Sequence, residues 1–208
     1  MQAYLSDVTD ILRDELAELG RLGAEHIQFD APEFGWLIDP CQREWFTHKG
    51  YEPGRLFHDG IEMINAIIAS YSGVTFGMHI CRGNYASKYL GKGEYQQVAA
   101  MVFERSHVQR LLLEYDDERS GDFAPLKQEP EDILVVLGLI TTKSPRMETV
   151  RELQARIAEA SDYIPLERLA LSTQCGFASV ARGNIIGFEV QEMKLRLVAK
   201  AADQTWNN

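Results

Sequence analysis

Apolar residues recur along this chain in two rhythms, steps of three and four that belong to helices and short unbroken runs that belong to buried strands, and the two alternate. Leu5, Val8, Leu12, Leu16 and Leu19 set an opening amphipathic helix, with Ser6 expected as its N-cap and Gly20 and Gly23 as its stop. A strand over 24–30 follows, carrying Ile27 and Phe29 and ending at Asp30. Phe57, Ile61, Ile64 and Ile68 predict a second helix, closed by Ser72 and Gly73 before a strand over 74–81. The unit then recurs. A helix over 95–105 precedes a strand ending in Glu114, and 133–140 reads as a strand with aliphatics on both faces. A helix over 147–160, a fifth strand over 169–172 and a last helix striped by Ile186, Val190, Met193, Leu197 and Ala201 complete the pattern.

Short apolar strands, most followed by a helix, predict a parallel α/β sheet whose active groups gather at the strand C-termini. A closed eight-stranded barrel takes about 250 residues. Five strands in 208 residues therefore predict an open sheet or a barrel fragment. No Pro/Gly/Ser-rich linker interrupts the pattern, so residues 1–208 read as one domain. Hydrophobic residues make up 45% of the chain, enough to bury a core. The longest apolar run, 133–140, is less than half the roughly 20 residues that cross a bilayer, so no membrane span is expected. A net charge of -10 without a basic stripe argues against nucleic acid. Cys41, Cys81 and Cys175 lie far apart behind no charged-plus-apolar leader, which predicts a reducing, cytoplasmic setting and no disulfide framework.

The strand ends hold Asp30, then His79 and Cys81, then Glu114 with Asp116 and Asp117, then 141–144, and last Gln174, Cys175 and Gly176. Alternate residues of a strand share a face, so His79 and Cys81 point the same way and are placed to take two corners of a tetrahedron. Alone, such a pair is a weak signal and reads first as a packed histidine and a buried free thiol. Glu114 directly follows three leucines, a costly position for a carboxylate unless a cation or hydrogen bonds compensate it. Cys175 precedes a glycine that allows close backbone approach. Nitrogen, sulfur and oxygen donors in this mixture suit Zn2+, and three cysteines are too few for an all-cysteine iron-sulfur cluster.

The runs His79-Ile80-Cys81-Arg82-Gly83-Asn84-Tyr85, Leu113-Glu114-Tyr115-Asp116, Gly121-Asp122-Phe123 and Leu171 through Ser179 together resemble the C-terminal catalytic barrel of cobalamin-independent methionine synthases. The likeness is greatest to short single-barrel relatives, a group that also resembles the epoxyalkane:coenzyme M transferases. The resemblance implies a (β/α)8 TIM-barrel type of fold, present here as about strands four to eight. It implies Zn2+ held by His79, Cys81, Glu114 and Cys175, with Asp30 matching the aspartate that holds the amino group of homocysteine. The implied reaction moves a methyl group from 5-methyltetrahydrofolate with its polyglutamate tail to the homocysteine thiol, giving methionine. Zinc fits that chemistry because it draws a thiol's pKa from about 8.5 to below neutrality.

Two departures from the family pattern stand in the sequence. Where methionine synthases carry Asp-x-His-Ser-Pro, with the histidine as proton donor, this chain has Thr141-Thr142-Lys143-Ser144-Pro145. Lys143 is an acid near pH 7 only if burial depresses its pKa, which leaves room for another donor or for another small thiol such as coenzyme M. Nothing in the chain matches barrel strands one to three. Such a remnant exposes sheet edges and an apolar face, so a homo-oligomer or a separate N-terminal half-barrel chain is the expected partner, and a non-catalytic zinc-binding subunit is the rival reading. Cys41, Trp36, Trp45 and Trp206, and the histidines at 26, 48, 58 and 107, read as structural. Residues 91–93 read as a plain turn. The charge run 116–119 reads as a solvated loop with an outer-sphere role open to it through its place beside Glu114.

Overall fold

The computed structural model describes residues 2–207, and these form a five-stranded parallel sheet in the order β1-β2-β3-β4-β5. The strands are β1 (His26–Asp30), β2 (Thr75–Ile80), β3 (Arg110–Glu114), β4 (Leu134–Ile140) and β5 (Leu169–Thr173). Sequence order equals spatial order, as expected when every crossover runs the same way around a growing barrel. The helices are α1 (Gln2–Arg21), α2 (Pro32–Ile38), α3 (Pro40–His48), α4 (Pro53–Ile68), α5 (Val150–Ser161) and α6 (Phe188–Trp206). Among the described residues no helix is long and apolar enough to cross a membrane.

Packing follows from the two faces of the sheet. Met78, Ile80, Leu111, Leu113, Val135 and Leu137 are buried with the apolar residues of the helices. Leu112 and Val136, on the opposite face, are only partly covered. Both outermost strands have one unpaired edge, and β1 alternates exposed and half-buried residues where the central strands are buried.

Several local expectations are corrected. Ser6 is not an N-cap, because the first helix begins a turn earlier and runs through it. The span 95–105 is not an α-helix but a 3-10 turn over Tyr95–Gln97 and a π turn over Ala99–Phe103. Tyr95, Val98, Ala99, Val102 and Phe103 are all buried there at the spacing of one helical face, so the burial pattern expected from the sequence holds while the backbone takes tighter and wider turns than an α-helix. Helix α5 begins at Val150 rather than 147, because Thr149 and Glu152 form a capping box. The sequence reading also passed over α2 and α3, each started by a proline at its first turn. Cys41 sits at the start of α3, where its N–H is capped by Asp39.

Two glycines set the geometry near the strand ends. A Cβ at Gly35 would lie 2.1 Å from the Cys81 carbonyl oxygen, so only glycine lets α2 rest against the end of β2. A Cβ at Gly138 would lie 2.9 Å from the Leu113 oxygen and from the Gln174 Cα, at the point where the β4–β5 register slips between Gly138 and Ile140.

Candidate metal centre

The strand ends converge. Cys81 follows β2 and Cys175 follows β5, three strand spacings apart, which is about 14 Å in a flat sheet. Their sulfurs lie 3.8 Å apart, so the sheet is strongly curled toward this rim. One donor atom each from His79, Cys81 and Cys175 lies within 4.8 Å of the other two.

His79 fixes which nitrogen faces that cluster. Its Nδ1 lies 3.1 Å from Asp30 Oδ1, across the β1–β2 register that pairs the two residues. Its Nε2 is buried with no hydrogen-bond partner and lies 3.6 Å from Glu114 Oε1. A buried ring nitrogen without a partner is costly, and here it sits among sulfur donors. Donor types, spacing and that orphaned nitrogen together fit a tetrahedral zinc ion, with Asp30 orienting the imidazole from behind.

Protons balance the charge inside the cluster. Burial opposes an imidazolium at His79, but the adjacent Asp30 and Glu114 carboxylates and the nearby Cys175 sulfur outweigh it, so its pKa is pushed up to about 10. The Cys81 thiol, hydrogen-bonded to Cys175 and buried, titrates far above the usual thiol range. Cys175 is the acceptor of that bond and lies near His79, and it is lowered to about 7. Main-chain and side-chain amides support the sulfurs: Gly83 N–H donates to Cys81 Sγ at 3.3 Å, and Asn84 Nδ2 to Cys175 Sγ at 3.6 Å.

Glu114 is fully buried beside the trio rather than within it. Its N–H donates to Tyr95 Oη at 2.8 Å, and its carboxylate accepts the Arg82 N–H at 3.0 Å and the Arg119 guanidinium at 3.0 Å. Burial alone would raise its pKa, but the neighbouring His79 imidazole and the Arg82 N–H bond hold it below the usual carboxylate range. Lys143 reaches the same rim. Its Nζ donates to Asn84 Oδ1 at 2.6 Å and to the Gly83 carbonyl at 3.1 Å, and burial draws its pKa below the lysine range against the pull of Glu114 and the two cysteines. A hollow of about 130 Å³, lined by Gln28, His79, Leu112, Ser172 and Cys175, opens beside the cluster on the less covered face of the sheet.

The structure thus brings His79, Cys81 and Cys175 together, with Glu114, Asp30 and Lys143 around them. Sequence reasoning missed Arg82, whose guanidinium stacks 4.3 Å from the Tyr95 ring, and Asn84. No periodicity signals either residue. The charge run 116–119 did carry a signal: Arg119, read as part of a solvated loop, has a side chain only 4% exposed.

Residues 1–202 match the family described as cobalamin-independent synthase, catalytic domain. YxjH of Bacillus subtilis is 34% identical over 207 residues, which are 99% of this chain and 55% of that protein. Methionine synthase of Pyrococcus abyssi is 26% identical over 181 residues, 87% of this chain and 45% of that one. A structural-genomics target from Listeria monocytogenes, assigned as a vitamin-B12 independent methionine synthase, superposes with a TM-score of 0.77 at 31% identity, covering 100% of this chain and 56% of its own. The chain spans about half the length of these relatives, which accounts for a sheet of five strands where a whole barrel has eight. By its sequence match, its incomplete barrel and the cluster at its strand ends, this chain belongs to the cobalamin-independent synthase catalytic-domain family.

Proposed function

We propose that the chain is the zinc-binding part of a thiol methyltransferase that passes the methyl group of 5-methyltetrahydrofolate to homocysteine. The observation that carries this reading is the unpartnered His79 Nε2 beside two sulfurs 3.8 Å apart, all at the mouth of a curled parallel sheet. Zinc held by His79, Cys81 and Cys175, with Glu114 in reach, supplies a thiol-activating charge that leaves a guest sulfhydryl ionised at neutral pH. With zinc bound, the two cysteinates of Cys81 and Cys175 would cancel the metal's charge and so keep a guest sulfur electron-rich, as a nucleophile must be.

The protein's own residues do the remaining work. Asp30, with its side chain 59% exposed, has one oxygen toward His79 and the other free for the ammonium group of the amino acid. In the transfer the carbon–sulfur bond forms as the methyl–N5 bond of the folate breaks, and N5 gains a proton. Lys143 is the proton source on this rim, its ammonium destabilised by burial and steered by Asn84 and Gly83. Residues 1–208 act as one partial-barrel unit in the cytoplasm. A further polypeptide, either a second copy or an N-terminal half-barrel, covers the unpaired edges of β1 and β5.

X-ray absorption at the zinc edge before and after homocysteine tests the reading. A third sulfur ligand appearing on addition supports it, and an unchanged spectrum refutes thiol activation. Running coenzyme M in parallel separates the acceptors, because Asp30→Ala should weaken homocysteine alone. Gel filtration at the mass of one unpartnered chain would refute the covered-edge proposal.

A further inference from the structure

Three loops meet at the rim of the sheet, those that follow β2, β4 and β5, and one half-buried side chain ties all three. Asn184 Nδ2 donates to the Thr142 carbonyl at 2.8 Å and to the Phe177 carbonyl. Its Oδ1 accepts the Ser87 hydroxyl at 2.9 Å and the Ile186 N–H at 2.8 Å. Both amide hydrogens and both lone pairs of the oxygen are thereby engaged.

The tie is closed from the β2 side at a conformational cost. Ala86 and Ser87 both take left-handed backbone, with φ of +48 and +65, in a two-residue turn whose ends, Tyr85 and Lys88, exchange main-chain hydrogen bonds of 3.0 and 3.1 Å. Such a turn favours asparagine and glycine at its centre. Glycine at position 87 would relieve the backbone but lose the hydroxyl, which accepts the Ile185 N–H at 3.0 Å as well as reaching Asn184. Backbone strain of this kind persists only where the surroundings over-determine it.

The tied loops are those that carry the rim chemistry. Thr142 immediately precedes Lys143, and its buried hydroxyl donates to Gln174 Oε1 at 2.7 Å. Lys143 in turn reaches back to the β2 loop, at Asn84 Oδ1 and the Gly83 carbonyl. An ammonium on a flexible four-carbon stem keeps one place only if the main chain at its root is fixed. We propose, building on the reading of Lys143 as the proton source, that Asn184 is a positioning residue: braced by Ser87, it clasps the Thr142 carbonyl and so sets the Lys143 ammonium on the rim beside the cluster.

The test uses the full chain, wild type and with Asn184→Asp, Ser87→Gly, Lys143→Gln and the Asn184→Asp/Lys143→Gln pair. Limited acetylation with an N-hydroxysuccinimide ester, read by peptide mass spectrometry, reports how tightly each lysine is held, with the exposed Lys200 of α6 as internal standard. Asn184→Asp keeps the shape and the acceptor but turns both donations into oxygen–oxygen contacts, so Lys143 should be acetylated about tenfold faster relative to Lys200. Ser87→Gly opens the clasp from the other side while freeing the backbone of its left-handed strain. It should speed Lys143 acetylation about threefold with a urea midpoint close to that of wild type, and it is the variant read if Asn184→Asp does not fold. A purely structural tie would instead lower the midpoint and loosen the lysines together. Methyl transfer to homocysteine, measured with the chain alone and with an N-terminal half-barrel chain added, should fall about tenfold in kcat in Asn184→Asp with KM unchanged, and by nothing further in the Lys143→Gln background. Lys143 acetylation unchanged in both clasp variants, a rise shared by Lys200, or kcat losses that add to that of Lys143→Gln overturn the proposal. Wild-type protein that transfers no methyl group under either condition overturns the methyltransferase reading, while the acetylation ratios still decide whether the clasp places Lys143.

Discussion

At pH 9 the chain should release about two protons for each Zn2+ bound, whereas a histidine and two cysteines with ordinary pKa values would release at most about one. His79, pushed up to about 10 by Asp30 and Glu114 against the cost of burial, is about nine-tenths protonated at that pH. Cys81 keeps its proton because its thiol is hydrogen-bonded to Cys175 and buried. Cys175, lowered to about 7, has already lost its own. Protons on His79 and Cys81 compete with the metal, so affinity falls as pH falls, by about 2.7 kcal/mol per pH unit around pH 9 for two protons. Zinc titration calorimetry in buffers of differing ionisation enthalpy counts the protons directly. Asp30→Asn should lower the count at pH 9, since the imidazolium then loses its charged acceptor. A wild-type count of one or fewer, or a count indifferent to Asp30, would refute the proton network described for the cluster.

Glu129, buried with neither carboxylate oxygen hydrogen-bonded, is raised to about 8 by burial, offset in part by Arg168. Because that value exceeds its ordinary 4.5, its contribution to stability is complete below pH 4.5 and is lost as pH climbs through 8. Glu129→Gln should therefore stabilise the chain by up to about 3 kcal/mol at pH 7 and by nothing near pH 4, measured by urea unfolding at the two pH values. Lys194 is fully buried with its Nζ 3.1 Å from Glu148, so Lys194→Met should cost about 3–5 kcal/mol in the same assay, and adding Glu148→Gln should recover part of it. Gly35→Ala places a methyl group against the Cys81 carbonyl and should cost about 1–3 kcal/mol while lowering the zinc retained after gel filtration. Full zinc retention would show that α2 does not position the cluster.

The strands were legible because each is a short aliphatic run that must be buried on at least one face, and all five appear within a residue or two of their expected ends. The candidate cluster was legible for a related reason. His79, Cys81 and Cys175, which the structure brings together, and Glu114 beside them lie at or near the ends of such runs, where polar atoms either find partners or face a site. What stayed hidden depends on contacts distant in sequence. Tyr95, Val98, Ala99, Val102 and Phe103 lie on one face packed against α4 and the 3-10 turn at Ala124–Gln128, and that face reads as an α-helix along the chain although the backbone closes 3-10 and π turns there. Helices α2 and α3 are short and begin with prolines, so they read as loop. Arg119 and Asn84 act on Glu114 and Cys175 through side-chain geometry alone, which spacing along the chain does not encode.

The 3.8 Å gap between sulfurs that follow β2 and β5 also has a mechanical consequence. An arc of strands without its full circle has nothing in its own hydrogen-bond ladder to stop the outermost strand from swinging away. A cation gripped from both ends of the arc is a tie-rod across the opening. With the proposed zinc removed, β2 and β3 should stay as firm as before while the amides of β5 and the start of α6 exchange with solvent faster, and an ion bound there would set the curvature of the frame as well as the chemistry at its rim.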